Sequence, residues 1–397
     1  MKKIWFAVLF ILVSTILAGC QGLFVEPNFL SFDLEVISLD GTIVLNQPII
    51  FLEDDELTVV DLIDLQVGLD YDVYDIGVFV NGVGDFYPTE YGVTYNYYYT
   101  LYVNDEVAKV GIQDLVPTDD MKVAFVETTM LDEIDVQVDQ LIQEFIDNYL
   151  STYINDTMVS HNVLAALKQL SDYGYDVPSL DNTLLNTLSY TLANDTIANA
   201  FKTTVFLKAF DINSLLTETA LSAFVATNPY DAVSLLTALT MTSGSNTQIN
   251  DILASLTSTT PEFMDADYAG MLLLALAQYK DDSIVSQTVD DMVDFIQTML
   301  TVDGIESWGN ANSSSTATVI LGLVAHGINP RGEAYITDSN DLIEALLSYQ
   351  IDGAYKWLLT DEQSDMAFST PQVFASLVAY KIFRDVYGNP AFDLFNF

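Results

Sequence analysis

The chain has 397 residues, half of them hydrophobic (50%), which is ample material for packed cores and excludes a disordered chain. It carries 56 Asp and Glu against 12 Lys and Arg, a formal net charge of −44, which excludes nucleic acid as a partner and disfavours anionic lipid surfaces. One cysteine excludes an internal disulfide framework and a Cys-based zinc site, and two histidines leave little for His-rich metal catalysis.

At the N-terminus, Lys2 and Lys3 precede an apolar run over residues 4–17 that ends in Leu17-Ala18-Gly19-Cys20. The run is shorter than the roughly 20 residues that span a bilayer. The pattern resembles a bacterial lipobox, which implies a signal peptide over residues 1–19 and lipidation at Cys20. The mature body is then expected on the extracytoplasmic face of the cell membrane, held by acyl chains. Cys20→Ser is expected to abolish acylation and precursor cleavage. Retained acyl label, with processing at the same bond, would overturn that reading.

A short tether follows over residues 20–30. Residues 31–127 carry strand signals. Leu34, Val36, Ile37 and Leu39 lead to the turn pair Asp40-Gly41, and Ile43 to Leu45 resume the strand pattern. Val78-Phe79-Val80 meets a second turn pair, Asn81-Gly82. Residues 95–103 are dense in tyrosine, and residues 121–126 close the region. Residues 57–65 read as a helix, headed by the acids Glu53, Asp54, Asp55 and Glu56. Those acids suit a helix N-terminus, with calcium binding as the sharper reading.

The boundary is expected over residues 128–133. From 134 to 397 the period is helical: Val138, Leu141, Ile142 and Phe145 follow i, i+3, i+4, i+7 spacing. Further runs lie at 163–170, 184–192, 197–210, 215–224, 235–239, 271–276, 292–300, 319–324, 342–347 and 373–382. Three segments align without gaps, 267–276, 315–324 and 369–378, each opening on a capping residue and running into small and apolar positions. Asp303-Gly304 with Trp308 and Asp352-Gly353 with Trp357 precede the last two. A period near 50 residues fits one helix pair per repeat, and small residues suit an inner ring. The expected fold is multidomain α and β: a small, mixed, mainly antiparallel β-domain followed by an all-α α/α toroid.

The helical half resembles the terpenoid cyclase and prenyltransferase toroids, and most of all their transcobalamin-type relatives. The segments that carry this are Asp265-Ala266-Asp267-Tyr268-Ala269, Ser314-Ser315-Thr316-Ala317, Gly327-Ile328-Asn329-Pro330 and Phe368-Ser369-Thr370-Pro371. The β region resembles the β-domain of transcobalamin and intrinsic-factor-like proteins through Val59-Val60-Asp61-Leu62, Val80-Asn81-Gly82, residues 99–104 and residues 119–123. The domain order is the reverse of the animal transport proteins, and Tyr99 stands where that β-domain commonly has Trp.

The resemblance implies a binding protein, not an enzyme, that captures a cobalamin-like or other near-neutral ligand between its two domains. It points to Asp265, Asp267, Ser314, Ser315, Ser369 and Thr370 as ligand-binding candidates; Trp308, as a stacking surface or a loop anchor, and Tyr97 and Tyr99, on a strand with one face toward the core and the other toward a ligand or the toroid, complete the set. A membrane transporter or surface partner would receive the ligand. Prenyltransferase chemistry would need a zinc-held cysteine, and the one cysteine is at the anchor. Cyclase chemistry meets Asp265 and Asp267, but Tyr268 replaces a further acid, and helix capping explains both aspartates. His161 and His326 are open to cobalt ligation; His326 also suits a helix C-terminus before Gly327. The competing class is a surface adhesion lipoprotein with no small ligand.

Overall fold

A computed structural model describes residues 28–53, 56–75, 77–154, 158–186, 192–258, 264–386, 388 and 390–397. Residues 1–19, expected as a signal peptide, and Cys20, Asp54 and Asp55 lie outside these residues. Contacts divide the chain into two units. The first runs to Thr89 and resumes over Tyr97–Thr129; the second comprises Glu90–Asn96 and Met130–Phe397.

The first unit contains β1 (Phe29–Ile37), β2 (Ile43–Leu52), α1 (Val59–Gln66), β3 (Leu69–Tyr74), β4 (Gly77–Val83), β5 (Tyr97–Val103), β6 (Glu106–Val107) and β7 (Lys122–Thr129). Five strands form one sheet in the order β2-β1-β7-β5-β6, and β3 with β4 form a separate ribbon. β1 and β7 run parallel; the other pairs are antiparallel. Phe32, Leu34 and Val36 alternate inward on β1 and are buried with Val123 and Phe125 of β7. α1 covers this core with Val59, Val60, Leu62 and Ile63. Its N-terminus carries a full capping box between Thr58 and Asp61. At the sheet edge Gln66 accepts from the Ile50 N–H at 3.1 Å and donates to the Ile50 carbonyl at 2.8 Å, occupying ladder positions a further strand would take.

Asn81-Gly82 is not a turn. Both residues lie inside β4, where the register against β3 shifts between Asp70 and Tyr71. The reversal falls before Gly77, at φ +139°. Gly82 instead answers a close approach: a Cβ there would sit 2.4 Å from the Tyr87 ring.

The second unit is helical: α2 (Glu133–Asn148), α3 (Leu150–Ile154), α4 (His161–Asp172), α5 (Asn182–Leu185), α6 (Ile197–Ala209), α7 (Leu215–Ala223), α8 (Pro229–Met241), α9 (Asn246–Ser258), α10 (Ala266–Leu276), α11 (Ser283–Thr298), α12 (Ser313–Ala325), α13 (Leu342–Leu347) and α14 (Ser369–Asp385). The helices α4, α6, α8, α10, α12 and α14 pack each on the next, and α14 returns to α4, closing a ring. The helices α2, α7, α9, α11 and α13 pack outside it. This is an α/α toroid. The three aligned segments fall on α10, α12 and α14, consecutive members of the inner ring. Of the run expected over 184–192, the described part yields only the short α5.

Sequence and position agree in these helices. Outer α2 is amphipathic and buries Val138, Leu141, Ile142 and Phe145. Inner α12 is apolar or small on nearly every side, with eleven of its thirteen residues buried. The Asp-Gly pairs make hairpins: β8 (Leu300–Thr301) with β9 (Gly304–Ser307), which also pairs with β10 (Asn310–Ala311), and β11 (Gln350–Ile351) with β12 (Ala354–Tyr355).

Candidate functional site

The inner ring does not fill its own axis. A cavity of ≈ 620 Å³ lies there, lined from all six inner helices. Its wall includes His161 of α4, Phe201 of α6, Val233 and Thr237 of α8, Met271 and Leu274 of α10, Thr318 and Leu321 of α12, and Gln372 of α14. Helical periodicity explains the membership. Positions three or four apart share a face, so Ser234 with Thr237, Met271 with Leu274, and Thr318 with Leu321 form one axial stripe per helix.

The wall is mostly apolar, and part of its polarity is already spent. The Thr237 hydroxyl donates to the Val233 carbonyl at 3.1 Å and that of Thr318 to the Ser314 carbonyl at 2.9 Å. His161 meets Phe201 edge-on at 5.6 Å between ring centroids. Burial, aided by the Lys202 charge, pushes its imidazole down to about 3, so it is neutral at physiological pH. The Gln372 Oε1 is buried and accepts no hydrogen bond among the described residues. An unmet buried acceptor costs roughly 1–3 kcal/mol, which a ligand donor would recover.

Two of the sequence candidates, Asp267 and Ser314, lie about one turn above this wall. Asp267 precedes Met271 by four residues, and Ser314 precedes Thr318 by four, so each stands on the axial face toward the helix N-termini. Asp265 caps α10 by accepting from the Tyr268 N–H at 2.8 Å, and accepts from the Tyr230 hydroxyl at 2.6 Å. Burial, then the Asp265 carboxylate, raise the Tyr230 pKa, which keeps that hydroxyl a donor. Asp267 accepts from the Trp308 Nε1–H at 2.8 Å and from the Ser307 hydroxyl at 3.3 Å. The Trp308 backbone holds φ +58°, unusual for a bulky residue, and its indole is 71% exposed. Ser314 and Ser369 share a hydroxyl hydrogen bond at 2.9 Å, and the Ser369 hydroxyl also lies 3.0 Å from Asp365 Oδ2.

Two clusters are therefore brought together: Asp267 with Trp308, and Ser314 with Ser369. Two other candidates are turned to structural work. Ser315 is buried, its N–H capped by Asn312 at 2.9 Å. Thr370 is buried, and its hydroxyl accepts from the Tyr355 N–H at 3.0 Å. Tyr97 and Tyr99 belong to β5 of the first unit. Tyr97 is buried; Tyr99 packs edge-on to Phe125 at 6.0 Å, and burial with the Glu127 carboxylate pushes its phenol up to about 12. None of the nine lines the axial cavity.

His326 is the C-cap of α12, and its Nε2 lies 2.7 Å from the Leu273 carbonyl of α10. Burial lowers its pKa, so it serves through that hydrogen bond, with Nε2 protonated, and not through charge at the helix end. Among the described residues no cluster of three or more His, Cys, Asp or Glu could hold a metal ion. The residues missed in the sequence are Met271, Leu321 and Phe395, each of which reads locally as core, and Gln372. Gln372, the one amide at the head of the apolar α14, was the available signal. No family model matches the chain, and no curated protein is significantly similar to it.

Proposed function

We propose that this chain is an extracytoplasmic, lipid-anchored binding protein that holds a near-neutral small ligand on the axis of its helical ring. The cavity of ≈ 620 Å³ carries the reading: it falls within the range of about 300–1,000 Å³ common for small-molecule sites. A mainly apolar wall with a neutral imidazole, an unmet amide oxygen and the exposed Lys202 at its edge suits a ligand with an apolar body and a polar end. The net charge of −44 works against anionic ligands. A corrinoid, the class implied by the family resemblance, is near neutral and is tested beside a simple apolar probe. An adhesion protein has no need of an unfilled axis, so the cavity favours binding. Among the described residues no helix is long and apolar enough to cross a membrane, and the proposed attachment is through Cys20.

The test uses the purified mature protein with two probes, the neutral fluorophore N-phenyl-1-naphthylamine and cyanocobalamin. Fluorophore emission is expected to rise on binding. Met271→Lys places a charge in the apolar wall and is expected to weaken binding at least about tenfold, or ~1.4 kcal/mol, with the protein still folded. Co-elution of cyanocobalamin through a desalting column would assign the corrinoid class. Failure of both probes on folded protein overturns the reading and leaves adhesion.

A further inference from the structure

The far end of the ring is closed by the chain's own last residues. Phe392, Leu394 and Phe395 are buried, and Phe395 stands edge-on to Phe201 at 5.3 Å between centroids. Phe395 lines the axial cavity and also a second cavity of ≈ 230 Å³ toward the helix C-termini. Thr237 and Leu274 line both as well, so the two spaces adjoin at one level of the ring with the Phe395 side chain at the junction. Beyond it the wall turns polar, with Thr240, Ser243, Gln278, Asp393 and Asn396.

The tail is held from several sides. Gln169, almost fully buried, donates through Nε2 to the carbonyls of Asp393, Leu394 and Asn396 at 3.2, 3.0 and 3.2 Å. Gln278 Nε2 reaches Asp393 Oδ2 at 3.0 Å, and Asp393 Oδ1 accepts from the Phe395 N–H at 2.9 Å. The Phe392 N–H donates to the Val324 carbonyl at 2.9 Å. The ring is therefore fixed at a set depth rather than resting there by apolar contact alone.

Resting on the ligand reading above, we infer that Phe395 is a specificity-determining floor: it sets the depth of the axial cavity and so the longest apolar chain the protein accepts. The ligand class follows from the wall, an elongated molecule whose apolar end points toward Phe395 and whose donor end stays near Gln372 and His161. Removing the ring joins the two spaces and lets a longer chain pass the level of Thr237 and Leu274.

The experiment displaces N-phenyl-1-naphthylamine with a series of straight-chain primary alcohols of rising length, on wild type, Phe395→Ala and Phe395→Leu, with a thermal melt of each. In wild type, each added carbon is expected to improve displacement about fourfold, the fold-change corresponding to ~0.8 kcal/mol per buried methylene, up to a cutoff. Phe395→Ala is expected to move the cutoff out by two or more carbons, so that alcohols just past the wild-type limit bind about tenfold tighter or better. Phe395→Leu is expected to fall between, and it carries the test if the alanine variant does not fold. A cutoff unchanged in the folded variants overturns the floor. Wild type that binds no fluorophore overturns the floor for an apolar chain; failure of cyanocobalamin as well overturns the ligand reading itself, a separate result.

Discussion

Lys381→Met is expected to destabilise the helical unit by roughly 3–5 kcal/mol, the cost of leaving buried charges without their partner. That corresponds to a melting temperature lower by about 6–20 °C. Lys381 is 3% exposed on α14, with Glu90, Asp139 and Asp385 at 2.9, 3.0 and 2.9 Å. Its ammonium also sits 4.8 Å from the centre of the Tyr175 ring. Arg384 binds the same acids, Asp385 at 2.6 Å and Asp139 at 2.8 Å. Tyr175 and Asn96 add donors to Asp385 at 2.8 and 2.7 Å.

The pH dependence follows from the shifts. Burial works to raise the Asp385 pKa, but Lys381 and Arg384 outweigh it and hold it below 3.8. Its contribution is therefore present at neutral pH and lost as pH falls through the folded value. Burial works to lower the Lys381 pKa, but Asp139, Asp385 and Glu90 outweigh it and hold it above 10.5, so its contribution persists until strongly alkaline pH. Glu90 has the opposite sign: burial, opposed by Lys381, raises it above 4.5. Its contribution is present below 4.5 and lost as pH rises through the folded value. Without Lys381, Asp385 and Glu90 lose their main counter-charge and should take up protons more readily. The destabilisation should accordingly shrink between pH 7 and pH 5. An equal loss at both pH values, or a loss under about 2 °C, would show that the cluster does not act as a charge network.

What could be read from the sequence depended on how local each feature is. Outer α2 declares itself by the spacing of Val138, Leu141, Ile142 and Phe145, because one face meets water. Inner α10 and α12 are buried on nearly all sides and have little amphipathic period; Asp265 and the small residues mark them instead, while the cap of α12 falls on Asn312, three residues before the Ser315 at which its aligned segment opens. Asn81-Gly82 misled because a glycine after asparagine reads as a turn pair, whereas here the glycine makes room inside a strand for the Tyr87 ring five residues on. The rim was partly legible, since Asp265, Asp267, Ser314 and Ser369 are polar residues at helix starts. The cavity was not. Phe201, Thr237, Met271 and Leu321 are ordinary core residues taken singly, and only ring closure turns them toward an unfilled axis. Phe395 becomes a floor only because Gln169, more than 220 residues away in sequence, holds its neighbours' carbonyls.

Gly322→Ala offers a test of the ring whose sign decides. Both Gly322 and Gly270 are buried within helices, at the contact of α12 with α10. Helix propensity alone predicts that alanine stabilises a helix interior by about 1 kcal/mol over glycine. The structure predicts the reverse. A Cβ on Gly322 would lie 2.6 Å from the Gly270 carbonyl oxygen and 2.9 Å from the Leu273 Cβ. A Cβ on Gly270 would lie 2.7 Å from the Thr318 carbonyl oxygen and 3.0 Å from the Val319 Cα. These neighbours are mainly backbone, so no rotamer change relieves the contact and one helix must move. Overpacking of this kind costs about 1–3 kcal/mol, or a melting temperature lower by roughly 2–12 °C. The double variant with Gly270→Ala should cost less than the sum of the two, because one separation of α10 from α12 accommodates both methyls. That same separation displaces Met271 and Thr318 in the cavity wall, so fluorophore affinity should fall together with stability. A melting temperature that rises in Gly322→Ala would mean that α10 and α12 do not pack through these glycines, and the closed ring would lose its tightest contact.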